Sequence, residues 1–141
     1  MRRHPALRHL SSDHHTGLVL ARKARQSANG SLHDQRYFRS TLVARFGAEL
    51  KPHFQLEEDG LLPAMRRAGE TRLVQRTLSE HASLRGLIAE NQVENLAAFA
   101  KLLSAHIRFE EKELFGRAQQ LLDQGQLTEL IDESVSGPAS R

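Results

Sequence analysis

Residues 96–114 read LAAFAKLLSAHIRFEEKEL. Apolar side chains recur at Leu96, Phe99, Leu103, Ile107 and Leu114, the three- and four-residue spacing that lines one face of an α-helix. Continued at those steps, the same stripe passes through His106 and Glu110. A core-facing helix therefore carries an imidazole and a carboxylate where aliphatic groups belong. A carboxylate in an apolar interior costs several kcal/mol unless it is paired or holds a metal.

The same pattern appears upstream. One stripe runs Leu73, Thr77, His81, Leu84, Ile88. Another runs Phe46, Leu50, His53, Glu57, Leu61, Ala64, and a third runs Leu10, His14, Leu18, Ala21. Each predicted helix thus has a histidine on its buried face, and two of them add a glutamate. His53 and Glu57, like His106 and Glu110, are four residues apart. At ~100° per residue that leaves their side chains ~40° apart and one turn apart, able to reach one ion. The chain also repeats loosely: Asp13-His14 precedes His53-x-x-x-Glu57, and Glu80-His81 precedes His106-x-x-x-Glu110. The first interval is the longer. The repeat predicts a pseudo-twofold bundle with one metal ion in each half.

Glycine and asparagine punctuate these stripes at Asn29-Gly30, Gly69, Asn91 and Gly125, as expected just past helix ends. The spacing predicts helices over residues 12–28, 31–68, 70–90 and 92–122, and a short fifth helix near residues 127–132. Pro52 falls inside the second, in phase with its stripe, and predicts one kinked helix rather than two. Short connections between helices favour an up-down-up-down four-helix bundle. The expected organisation is one all-α domain over residues 1–133 and a small, polar, disordered tail over residues 134–141.

Composition narrows the function. The 141-residue chain is long enough for its own core. It has no cysteine, which excludes disulfides, thiolate zinc sites and cysteine nucleophiles. Its 20 basic and 17 acidic residues are dispersed, and Arg22-Lys23-Ala24-Arg25 is the nearest approach to a basic cluster. Dispersed charge predicts no nucleic-acid partner. Met1-Arg2-Arg3-His4 leads into no apolar stretch, which predicts no secretory signal. No apolar run approaches the ~20 residues of a membrane span, so the expected location is the cytoplasm. The absence of Glu-x-x-His and His-Glu-x-x-His patterns argues against ferritin-like carboxylate bundles and zinc proteases.

Asp13-His14-His15, Lys51-Pro52-His53-Phe54-Gln55-Leu56-Glu57-Glu58, Glu80-His81 and His106-Ile107-Arg108-Phe109-Glu110-Glu111 together resemble the hemerythrin-like, or HHE cation-binding, family. The resemblance spans roughly residues 5 to 122. It implies two non-haem iron ions, oxo- or hydroxo-bridged, with His14, His53, His81 and His106 as terminal ligands and Glu57 and Glu110 as bridges. Zinc or manganese suits the same donors. Oxygen-carrying members have a fifth histidine one turn from the helix-three ligand; the corresponding positions here are Thr77 and Arg85. Those carriers also place an aspartate five residues after the last histidine. Here that position is Glu111, which a π-bulge would bring inward; a regular helix selects Glu110.

With one histidine fewer, each ion keeps an open position for dioxygen, peroxide or nitric oxide. This departure from the carriers favours sensing, iron handling or peroxide turnover over reversible oxygen transport, and leaves open whether the chain has a weak peroxide- or oxygen-reducing activity. An iron- or oxygen-responsive regulatory module without catalysis is the alternative. A metal-independent structural bundle is the third reading. Phe54, Phe99 and Phe109 are expected to wall the metals, with plain core packing the alternative for Phe99; Tyr37 is expected to pack in the bundle rather than approach the site, and His15 to stay outside the ligand set. No role is assigned to His4, His9 or His33.

Overall fold

A computed structural model describes residues 3–135, and all the regular structure among the described residues is helical. Helix α1 is Pro5–Ala28. Helix α2 covers residues 32–67 as the segments Leu32–Arg45, Phe46–Leu50, Lys51–Leu56, Glu57–Leu61 and Leu62–Arg67. Helix α3 is Arg72–Glu90. Helix α4 covers residues 96–121, after a single 3₁₀ turn at Val93–Asn95. Helix α5 is Gln124–Val135.

Local chemistry sets the ends. Helix α1 starts well before residue 12, because His4 acts as its cap: Ala6 N–H donates to His4 Nδ1 at 3.1 Å, and Pro5 takes the first helical position. Ser31 caps α2 by accepting from Asp34 N–H. The break after α2 turns on Gly69 at φ 102°, and that after α3 on Asn91 at φ 51°, left-handed positions suited to these residues. The fifth helix is longer than expected. Leu127 is buried and Leu130 packs beside it on the core, and the helical course continues through Val135. The boundary expected at 133 therefore falls inside α5, and residues 136–141 of the expected tail lie outside the described residues.

Helix α2 remains helical through Pro52, with two wide π-turns at Phe46–Leu50 and Glu57–Leu61. Each leads into a proline, Pro52 and Pro63. In a tight α-turn a proline ring meets the carbonyl four residues earlier, here Ala48 and Asp59. Both lie in the widened turns, which relieve that clash. Pro63 and its π-turn are absent from the sequence reading. A third π-turn, Glu110–Leu114, interrupts α4.

Helices α1 and α4 pack most intimately. A Cβ placed on Gly17 would sit 2.8 Å from Ile107 Cδ1, so glycine there leaves room for the tip of the Ile107 side chain one turn from His14. Helix α1 also packs on α2 and α5, and α3 packs on α2 and α4. The apolar interior divides in two. One cluster joins Leu7, Leu10, Leu61, Met65, Leu73 and Leu114. The other joins Leu20, Leu42, Leu50, Leu84, Phe99 and Leu103. In every one of the four long helices, the histidine lies between residues of the two clusters. A polar layer is therefore held between two dry packs. Tyr37 takes no part in the interior, contrary to expectation: it is 72% exposed, on the outer side of α2.

Candidate metal centre

His14 on α1, His53 and Glu57 on α2, His81 on α3, and His106 and Glu110 on α4 are all buried. Their ligand atoms form two groups. His14, His53, Glu57 and Glu110 have donor atoms within 4.8 Å of one another, and so do Glu57, His81, His106 and Glu110. The two glutamates belong to both groups, and each histidine belongs to one.

Donor directions show what the layer is shaped for. His53 Nε2 lies 3.2 Å from Glu57 Oε2, His81 Nε2 lies 3.0 Å from Glu57 Oε1, and His106 Nε2 lies 3.1 Å from Glu110 Oε2. None of these close pairs is aligned as a hydrogen bond. Seven buried side-chain polar atoms among the described residues lack a hydrogen-bond partner. Six are here: Nε2 of His53, His81 and His106, both oxygens of Glu57, and Glu110 Oε2. Such groups are costly when unsatisfied. His14 Nε2 differs, lying 2.7 Å from Glu110 Oε1 in hydrogen-bonding geometry. A donor set of imidazoles and carboxylates, pointing at shared space and unpaired, fits divalent transition metals.

The opposite ring nitrogens are all occupied. Nδ1 of His53 lies 3.0 Å from Asp13, and that of His81 lies 2.7 Å from Glu58. Nδ1 of His106 lies 2.7 Å from Glu80, and that of His14 lies 2.6 Å from Glu111. A carboxylate only accepts, so each Nδ1 carries a hydrogen and each Nε2 is the nitrogen that faces inward, open to a cation as a lone pair once its own proton is displaced. The pairing is crossed. Asp13 on α1 holds the histidine of α2, Glu58 on α2 that of α3, Glu80 on α3 that of α4, and Glu111 on α4 that of α1. These four acids are the sequence neighbours of ligand candidates. Sequence reasoning singled them out as motif letters but not as orienting groups, because the partner of each lies on another helix.

Burial opposes ionisation of Asp13, Glu58 and Glu80. The facing histidine, joined by Arg85 for Glu58 and by Arg76 for Glu80, outweighs burial and holds each carboxyl below its ordinary range. Burial likewise pushes His106 down, but the charge of Glu110, 3.1 Å away, and the bond to Glu80 raise it to about 10. In the chain without metal, the layer therefore stores protons that a cation would displace.

Glu110 faces the shared space, whereas Glu111 turns aside to His14 Nδ1 and to the Ser11 hydroxyl at 2.7 Å. The π-turn begins at Glu110, whose own N–H still bonds back to His106. The four-residue spacing to His106 thus survives. Thr77 donates to the Leu73 carbonyl, and Arg85 engages Glu58; neither adds a donor to the interior. Phe54 stacks on His81 at 3.9 Å between centroids, and Phe109 lies beside His106. Phe99 instead packs on Phe46 in the apolar cluster. Phe115, not anticipated, stacks on His14 at 5.2 Å; the extra residue of the preceding π-turn precedes its entry into the core. His15 is exposed.

Four helices enclosing two groups of buried histidines that share two carboxylates define a helical bundle with a candidate binuclear cation site. The chain belongs to the hemerythrin HHE cation binding domain family, whose model matches residues 5–118. No curated protein and no solved structure matches it. No helix among the described residues is long and apolar enough to cross a membrane.

Proposed function

We propose that this chain is a non-haem di-iron protein that binds dioxygen or a related small ligand, such as peroxide or nitric oxide. The observation that carries this reading is the pair of buried donor groups sharing Glu57 and Glu110. In it, His14 and His53 would hold one ion, His81 and His106 would hold the other, and Glu57 and Glu110 would be shared by both. The bound iron pair supplies redox chemistry and open coordination positions. The chain supplies the rest. Asp13, Glu58, Glu80 and Glu111 orient the imidazoles, while Phe54, Phe109 and Phe115 keep water from the ring faces. The reading includes an up-down-up-down course with an axial kink near Pro52, supported by the proline and the widened turn before it. It also includes a cytoplasmic setting and a role in sensing, iron handling or redox protection. Zinc and manganese are the competing occupants.

The test is metal analysis with an absorption spectrum after preparation in iron. About two irons per chain and a near-ultraviolet charge-transfer band are expected. A Glu57→Ala/Glu110→Ala double variant is expected to bind neither ion. A folded wild-type chain without iron affinity would sink the proposal.

The unpaired interior atoms favour a second reading, an iron-responsive interaction module. An ion that satisfies buried donors contributes to folding directly. Thermal melts with and without chelator separate the two: collapse of the bundle on chelation supports the switch, and a folded metal-free chain argues against it.

A further inference from the structure

Three of the four candidate histidines are held by the same three-part support. His81 bonds Glu58, which Arg85 grips through both oxygens at 2.7 and 3.1 Å. The Arg85 guanidinium lies 5.6 Å from the Phe54 ring, which stacks on His81. His106 bonds Glu80, which Arg76 engages at 3.0 Å, and Arg76 lies 3.9 Å from the ring of Phe109, beside His106. His14 bonds Glu111, which accepts from Ser11 and lies 3.6 Å from Arg3. Arg3 in turn lies 5.6 Å from Phe115, which stacks on His14. Each support is an acid, an arginine beside the acid, and an aromatic ring that lies near both the arginine and the imidazole.

The pattern fails at His53. Its acid, Asp13, contacts no arginine or lysine among the described residues, and its side chain is 37% exposed, against 34% for Glu111, 19% for Glu58 and 18% for Glu80. Aromatic contact does not set His53 apart, since Phe54 meets it edge-on at 6.2 Å and Phe109 lies tilted at 6.4 Å from His106; what His53 lacks is the arginine. A carboxylate with one partner and open water around it holds its histidine through a single exchangeable contact. Supports behind a metal ligand typically change affinity by about 10- to 100-fold. A difference confined to one ligand therefore separates two otherwise similar ions.

We infer that the two cation positions are unequal, and that Asp13 is the positioning residue that makes the His14–His53 position the exchangeable one. That position fills last and empties first, whereas the His81–His106 position, with both supports anchored by arginine, retains its ion. This rests on the binuclear reading above.

The test loads the full chain with ferrous iron under anaerobic conditions and follows iron transfer to a competing chelator. Wild type is expected to release two equivalents in two phases, the faster about 10-fold or more ahead of the slower. Asp13→Asn is expected to accelerate only the fast phase, and Asp13→Glu to restore it. Glu80→Gln is expected to accelerate only the slow phase. In the zinc-loaded chain, the ¹⁵N resonance of His53 Nε2 is expected to shift in Asp13→Asn while that of His81 does not, a response that general loosening of the bundle would not give. Release of both equivalents in one phase from wild type overturns the inference and leaves the binuclear reading standing. So does acceleration of both phases by Asp13→Asn. Failure to bind iron at all overturns both. The wild-type release curve decides the question even if a variant does not fold.

Discussion

The polar layer and the two apolar clusters beside it are equally buried but are satisfied in different ways. Leu84 and Leu103 are wholly inaccessible and packed among other hydrocarbons, so their contribution is complete once the chain folds. Glu57 and His81 are as deeply buried, yet their inner atoms lack partners. The difference teaches where stability and function part company in this molecule. The clusters hold the helices at a fixed separation, and that separation keeps six donor groups around a space they cannot fill themselves.

The sharpest way to break the comparison is to wound a cluster. Leu103→Ala removes a fully buried side chain and is expected to cost about 2–5 kcal/mol. The loss measured by chemical denaturation should be alike with and without metal. A loss seen only in the metal-loaded chain would show that cluster and layer are not separable.

A smaller effect is expected from pH, and only in the layer. His106 has a folded-state pKa of about 10, above the ~6.5 of an unfolded chain. The folded state therefore binds the proton more tightly. Its stabilisation is fully present below about pH 6.5 and is lost as pH rises toward about 10. Denaturation of the metal-free chain across that window should show the decline, and Leu103→Ala should shift the whole curve without changing its slope. A flat profile would place the His106 proton outside the fold's energetics.

The smallest effect belongs to the exterior. Tyr37→Ser alters an exposed ring and should change stability by less than about 0.5 kcal/mol, with iron stoichiometry unchanged. A larger loss would mean that this side chain is covered by something in solution.

Much of this layout was readable before any coordinates. The six donor candidates could be named because each falls on an apolar stripe, and burial on a helix is a matter of phase. His106 and Glu110 needed only the step of four residues. What phase cannot express is which helix lies beside which. Asp13 and Glu58 stand next to ligand candidates in the chain but serve histidines on other helices, a relation set by packing. Phe115 was missed because the π-turn at Glu110–Leu114 adds a residue to the period. Tyr37 was misplaced because aromatic character suggested burial where its phase points outward. The early start of α1 went unseen because histidine is an uncommon cap, although His4-Pro5 carried the signal.

The crossed pairing of acids and histidines closes on itself, since the acid on α4 holds the histidine on α1. No helix finishes its own histidine: each lends its acid forward and borrows its orientation from behind. During synthesis, His14 emerges early but must wait for Glu111, nearly a hundred residues later, before its ring is set. The interior is thus assembled as a circuit, and a chain interrupted anywhere short of α4 has all its spokes loose at one joint.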